Sequence, residues 1–259
     1  VHDDYQATFE MRLQSSRVLG RLFPKIWWYF ESLTSRVFNA LIVADKHLSQ
    51  KFQHCTPLIL GNYPRLDFTR KADISGESTF NVLYVGGVTE ERGVGVALEA
   101  IKQLPHKNLR FDVVGRCRDQ TLATALESDP RIVVHGQVKW TDLYHHYERA
   151  HLGLAVYQPL PGFVTVDHSV KIIEYMAAGV PLITSDFPGL RRFVADNGVG
   201  VVIEPTDPEV LALAIDRMYQ DDEYRRQLGH RGRELFESAY HWELHEPKLA
   251  PLYNDVIPK

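Results

Sequence analysis

The sequence predicts an α/β protein whose larger part is a doubly wound parallel sheet. From about residue 80 to 220, short runs rich in Val, Ile and Leu alternate with longer helical patterns. The runs are nearly continuous in apolar residues rather than alternating, as strands buried on both faces require. Helices of about 10 to 15 residues space the runs, as the crossovers that join parallel strands require.

Taken in order, residues 5–38 read as helical. Ala40-Leu41-Ile42-Val43 reads as a strand, then a helix around 46–52 and a second short strand at 57–60. One or two βα units cannot build a sheet with its own core, so residues 1–66 are expected to be the end of a partial second α/β domain. Residues 62–78 are rich in Pro, Gly, Ser and charge, and 67–79 are assigned as the linker. The main domain spans 80–240. Its six strands are expected at 82–85, 109–114, 132–134, 152–156, 180–184 and 199–203. A charged amphipathic helix at 221–237 follows, and a tail at 241–259 carries Trp242, Pro247, Pro251 and Pro258.

Composition narrows the function. The 259 residues are 44% hydrophobic, 24% charged and 11% aromatic, enough for a sizeable core and without disordered bias. A formal charge of −4 argues against nucleic acid as the main ligand. Cys55 and Cys117 lie far apart and outside any C-x-x-C pattern, which predicts free thiols in a reducing compartment. No run approaches the ~18 to 20 apolar residues of a membrane span. The opening Val1-His2-Asp3-Asp4 is polar and acidic, unlike a signal peptide, and lacks a methionine, so a processed or truncated chain is expected.

In an open parallel sheet, ligands bind beyond the carboxyl ends of the strands. The first strand is followed by Gly86-Gly87-Val88-Thr89-Glu90-Glu91-Arg92-Gly93. Glycines let backbone amides approach an anion, the next helix adds its N-terminal partial charge, and Arg92 supplies a full one. A tight turn with a solvated arginine explains the same residues. The spacing matches neither a Walker sequence nor G-x-G-x-x-G, which disfavours NTP hydrolysis and dinucleotide redox chemistry. After the fourth strand, a long loop through Asp167, His168 and Ser169 feeds a short helix that carries Lys171 and Glu174. A carboxylate there could accept hydrogen bonds from two vicinal hydroxyls, each worth roughly 1.5–3 kcal/mol. From spacing alone, a surface Lys–Glu pair worth at most about 0.5 kcal/mol is the simpler reading.

Lys171-Ile-Ile-Glu174-Tyr-Met-Ala-Ala-Gly179-Val-Pro181-Leu-Ile-Thr-Ser185-Asp186 resembles the most specific stretch of the family-4 retaining glycosyltransferases, which have the two-domain GT-B fold. Tyr84-Val-Gly86-Gly87 with Arg92-Gly93 resembles that family's phosphate loop. Phe111-Asp-Val-Val-Gly115 and His135-Gly136-Gln137-Val138 resemble its two nucleobase loops. The run from Gly198 to Pro205 and the later Tyr240-His-Trp242 resemble its closing strand and C-terminal crossover helix. The likeness covers about residues 40 to 256 and is densest from 82 to 205.

The resemblance implies a Rossmann-like nucleotide-sugar domain at 80–240. It implies a UDP- or GDP-linked sugar donor, a glycan or lipid-linked acceptor, and transfer with retention in polysaccharide or glycoconjugate synthesis. Glu174 would take the donor ribose, while Arg92 and the amides near Gly86 and Gly87 would take the diphosphate. Gly115 and the backbone at Gln137 and Val138 would take the base. Asp167, His168 and Ser169 would line the donor loop, and Lys171 stands in the matching motif as a third candidate catalytic residue. No cofactor and no obligatory metal are expected, and the twelve histidines are scattered without metal-ligand spacing.

This chain departs from the family pattern twice. Val166 stands eight residues before Glu174, where the family usually has a glutamate, and Gly87 stands where many members have a basic residue. His2-Asp3-Asp4 resembles a stretch halfway through the N-terminal domain, so roughly 100 residues are expected before it. The aromatic, basic run from Arg21 to Arg36 either packs in that missing half or lies at a membrane interface; the enzyme is expected in the cytoplasm, and in the second case at the inner membrane face. Two rival functions are a non-catalytic sugar-nucleotide-binding module and a GT-B-fold sugar-nucleotide epimerase.

Overall fold

The computed structural model describes residues 5–6, 9, 13, 19–52, 54–69, 78–166 and 168–256. The His2-Asp3-Asp4 match, linker positions 70–77 and the candidate Asp167 lie outside these residues. The chain divides into two compact units. One comprises Val1–Tyr63, Leu160–Thr165 and Trp242–Lys259; the other comprises Pro64–Pro159 and Val166–His241.

In the first unit, helix α1 spans Leu19–Thr34 and runs into a 3₁₀ turn at Ser35–Val37. Strands β1 (Ile42–Val43) and β2 (Leu58–Ile59) pair in parallel across a one-turn helix, Lys46–Ser49. Asp45 starts that helix by accepting from the Leu48 amide at 2.7 Å. Val43, Leu48 and Phe52 form the small core beneath it. One-turn helices at Pro161–Val164 and Trp242–His245 and a helix at Leu249–Val256 complete the unit.

The second unit is a six-stranded sheet of β3 (Phe80–Val85), β4 (Leu109–Val114), β5 (Ile132–Gly136), β6 (Leu152–Ala155), β7 (Leu182–Ser185) and β8 (Gly200–Ile203). All are parallel, in the order β5-β4-β3-β6-β7-β8. The order reverses direction between β3 and β6, creating the crevice where ligands of doubly wound sheets sit. All of β3 is buried, which is why its sequence is a continuous apolar run apart from Asn81, whose side chain donates to the Arg149 carbonyl at 3.0 Å.

Helices cover both faces. Helix α2 (Val94–Gln103) buries Val94, Ala97, Leu98 and Ile101, a helical stripe at three- and four-residue spacing. That stripe shares a core with β3, β4 and helix α6 (Pro208–Gln220), which contributes Leu211, Ile215 and Met218. Each such side chain contributes about 1.5–3 kcal/mol on full burial. Helices α3 (Gln120–Leu126) and α4 (Trp140–Glu148) follow β4 and β5. Asp119 caps α3 by accepting from the Thr121 and Leu122 amides at 2.8 and 3.2 Å. Within the stretch read as linker, Phe68 is buried against Trp140 and Tyr147.

Helix α5 (Val170–Ala177) lies between the sheet and α7 (Asp222–Ala239), and every residue from Lys171 to Ala177 is buried. Arg233 of α7 donates to the otherwise unpaired Ala177 carbonyl at the end of α5. Spacing alone had placed Lys171 and Glu174 on the surface. Both are instead buried, because α5 is covered on two sides.

Candidate functional site

The ends of β3 and β6 carry the site. Gly86 leaves β3 with a φ of 132°, open to glycine and strained for other residues. Its amide is spent on the Val114 carbonyl at 2.9 Å, and Val88 donates to the Arg116 carbonyl at 3.1 Å. Among the described residues no hydrogen bond engages the Gly87 amide between them, so that N–H remains for a ligand. Gly115, at the end of β4, has a φ of 149°, and a Cβ there would stand 1.7 Å from the Gly86 carbonyl oxygen. It is therefore the residue that lets the loops after β3 and β4 close on one another. A parallel bridge between Val88 and Cys117 extends this pairing past the strands.

Two cations flank this loop. The Nε of Arg92, on the 3₁₀ turn Glu90–Arg92, lies 3.7 Å from where a Cβ on Gly87 would stand. The Nζ of Lys171 lies 3.2 Å from the corresponding point on Gly86. Lys171 is only 7% exposed and rests over two tyrosine rings, 4.3 Å from the centroid of Tyr84 and 5.2 Å from that of Tyr157. Burial first, and then the charge of Arg92, push its pKa down from 10.5 to about 7, against the opposing pull of Glu174. The Tyr84 hydroxyl donates to the Gly87 carbonyl at 2.5 Å, and the Tyr157 hydroxyl donates to Ser169 Oγ at 2.8 Å. The two rings under the ammonium thus also hold the glycine loop and the residue that opens α5.

One turn along α5, Glu174 is 8% exposed, and its Oε2 accepts from the Tyr147 hydroxyl of α4 at 2.6 Å. Burial raises the Glu174 pKa, while the Tyr147 hydrogen bond and Lys171 hold it down. Spending one carboxylate oxygen on Tyr147 fixes the group's orientation and leaves Oε1 as the acceptor for anything else.

The structure therefore brings Gly86, Gly87, Arg92, Lys171, Ser169 and Glu174 to one switch point, with Gly115 against Gly86. Gln137 and Val138 lie past the end of β5, exposed and half-buried respectively. By strand spacing that is about 10 Å from the end of β3. The ring of His168 is stacked on Phe193 of the π-helical turn Arg191–Ala195 at 4.9 Å. His145 is exposed on α4, and His146 is half-buried with its ring against His135. Among the described residues no group of His, Cys, Asp and Glu is arranged to hold a metal ion, and no helix is long and apolar enough to cross a membrane.

Sequence reasoning did not single out Tyr84, Tyr157 and Tyr147. The first two sit at the ends of adjacent strands at the topological reversal, a position that could have marked them. Tyr147, 27 residues before Glu174, carries no signal of its own.

A six-stranded parallel sheet wound in this order, with its glycine loop and two buried ionisable residues at the reversal, is an α/β domain of the GT-B type. The family model for glycosyl transferases group 1 matches residues 67–235, well over half of the 259, and the chain belongs to that family. The chain is 25% identical over 186 residues to the capsular polysaccharide biosynthesis glycosyltransferase CapM of Staphylococcus aureus, a match covering 69% of this chain and 47% of that protein. In structure it is similar to sucrose-phosphate synthase from Thermosynechococcus elongatus, with a TM-score of 0.73, 21% identity, and 94% of this chain and 64% of that one covered. It is also similar to Anabaena Alr3699/HepE in complex with UDP-glucose, with a TM-score of 0.71, 15% identity, and coverages of 88% and 67%. The chain spans about half the length of the curated relatives it matches.

Proposed function

We propose that this chain is the donor-binding part of a retaining glycosyltransferase that moves a sugar from a UDP- or GDP-linked donor to a glycan or lipid-linked acceptor. The observation that carries this reading is the buried pair on α5. Glu174 is oriented by Tyr147 as a hydroxyl acceptor, and Lys171 stands one turn away beneath a glycine loop flanked by Arg92. A ribose diol suits the carboxylate, and a diphosphate suits the two cations, the Gly87 amide and the N-terminus of α2. Charge developing on the departing diphosphate would be stabilised by these fixed groups, without an obligatory metal. The roughly 10 Å from β3 to the loop after β5 suits the length of a nucleoside, with Gln137 and Val138 at the base.

Binding of UDP-glucose by a structural neighbour supports the donor class. Retention, the cytoplasmic setting, and the roles of Asp167 and His168 at the sugar rest on the family resemblance. Peripheral membrane contact through α1 is supported by its exposed Ile26, Trp28, Tyr29 and Phe30. Titration calorimetry with UDP and with GDP tests the donor site. Micromolar binding of one nucleotide, lost in Glu174→Ala, is expected. A folded chain that binds neither would overturn the reading.

A further inference from the structure

Gln158 follows Tyr157 at the exit of β6, and it bonds to the exits of two other strands. Its backbone amide donates to the Glu91 carbonyl at 2.9 Å, in the 3₁₀ turn that carries Arg92. Its side-chain amide donates to the Pro205 carbonyl at 2.8 Å, two residues past β8. A carbonyl only accepts, so the NH2 end of the side chain must be the one that faces Pro205. In the sheet, β6 neighbours β3 directly, while β8 lies two strands away on the other side. One half-buried residue thus joins the exits of β3, β6 and β8. The segment that holds it is itself fixed. Pro159 confines Gln158 to extended backbone. Ser185 Oγ accepts from the Tyr157 amide at 2.6 Å and donates to the Tyr157 carbonyl at 2.7 Å. The Arg92 turn rests on this segment at two points. Glu91 accepts from Gln158, and Gly93 packs so closely on the Val156 carbonyl that a Cβ there would collide with it.

We propose that Gln158 is a positioning residue for Arg92. Anchored on the exit of β8 by its side chain, it holds steady the backbone amide on which the Arg92 turn is seated. This role presupposes the nucleotide-diphosphate reading of the site, in which Arg92 has its place, and adds the residue that keeps it there. Ser185 holds Tyr157 independently of the Gln158 side chain, so the bond to Pro205 serves Gln158 and the turn beyond it. A cation seated before the ligand arrives loses less freedom on binding than a mobile one, and binds more tightly for that reason.

The test compares uridine and UDP, or guanosine and GDP if that is the nucleotide bound, by calorimetry. The proteins are the wild type, Gln158→Met, Gln158→Glu, Arg92→Ala, and Gln158→Met with Arg92→Ala, each checked for folding by thermal denaturation. Gln158→Met keeps the length of the side chain and loses the donor. It is expected to weaken the diphosphate about 3- to 10-fold while leaving the nucleoside within about twofold. In the Arg92→Ala background the same substitution is expected to change diphosphate binding by less than about twofold, since nothing remains to be positioned. At pH 8, Gln158→Glu presents a carboxylate that cannot donate to Pro205, and its loss should be at least that of Gln158→Met. At pH 5 the protonated fraction of that carboxyl can donate, so its loss relative to the wild type at the same pH should shrink at least about twofold. Equal losses for nucleoside and diphosphate, an undiminished loss in the Arg92→Ala background, or a Gln158→Glu deficit that ignores pH would overturn the proposal and make Gln158 a packing residue. If the folded wild type binds no nucleotide, the reading of the site falls, and the role of Gln158 falls with it.

Discussion

Replacing Glu174 by glutamine should make the empty protein more stable at neutral pH and the proposed nucleotide site weaker. The side chain keeps its shape, and the glutamine oxygen can still accept from Tyr147, so the 2.6 Å contact survives the change. What disappears is a negative charge on a group only 8% exposed, whose pKa burial has raised above its ordinary 4.5. The sign follows from linkage. Between pH 4.5 and the folded value, the folded protein holds a proton that the unfolded chain has lost, so wild-type stability falls as pH rises through that window. The slope is at most about 1.4 kcal/mol per pH unit, and the glutamine variant lacks it. On the binding side, the acceptor proposed for the ribose hydroxyls loses its charge. The difference is roughly 1–3 kcal/mol, or about 10- to 100-fold in Kd. Urea denaturation at pH 4, 6 and 8, paired with nucleotide titration at pH 8, measures both. The reasoning fails if the variant is destabilised equally at all three pH values, or if it binds nucleotide as tightly as the wild type.

Lys171 predicts the mirror image at higher pH. Its folded pKa of about 7 lies below the ordinary 10.5, so the unfolded chain binds the extra proton and wild-type stability rises with pH across that interval. Lys171→Met should abolish that contribution, which denaturation at pH 7 and pH 9 would show as a narrowing gap between the proteins. Gly115→Ala should cost more than about 2 kcal/mol, because it combines a left-handed backbone with a Cβ 1.7 Å from the Gly86 oxygen. A loss under 0.5 kcal/mol by thermal denaturation would show that the two loops are not in contact. If α1 is a membrane contact, replacing Trp27 and Trp28 by alanine should reduce flotation with anionic liposomes severalfold. Unchanged flotation would remove the membrane proposal.

The six strands were legible because burial on both faces demands unbroken apolar runs, and each run appeared within a few residues of its place. The ends were not. β3 begins at Phe80, ahead of the apolar run at Val82, because Asn81 can enter a buried strand once the Arg149 carbonyl satisfies its amide. That pairing spans 68 residues and leaves no local trace. The turn at Pro161–Val164 lay inside a stretch read as loop, since four residues set no period. At the site, the glycines and Arg92 announced themselves through strand-to-helix chemistry. Glu174 was singled out only by family likeness, because spacing alone cannot tell a surface i, i+3 pair from one lying under another helix. Tyr147 was invisible for the reason Asn81 was: its partner is distant in the chain.

The contact between Gly115 and the Gly86 carbonyl, extended by the bridge from Val88 to Cys117, ties the turns after β3 and β4 into a single piece. Neither turn can change length or conformation alone. If the site binds a nucleotide sugar as proposed, altering the β4 turn to admit a different base would disturb the anchoring of the phosphates as well. The Gly115 amide also donates to the Gly136 carbonyl at 2.8 Å, so the end of β5 is joined to the same piece. Selection for a new nucleotide at the proposed site should therefore act on an exposed side chain such as Gln137 before the backbone of any one turn.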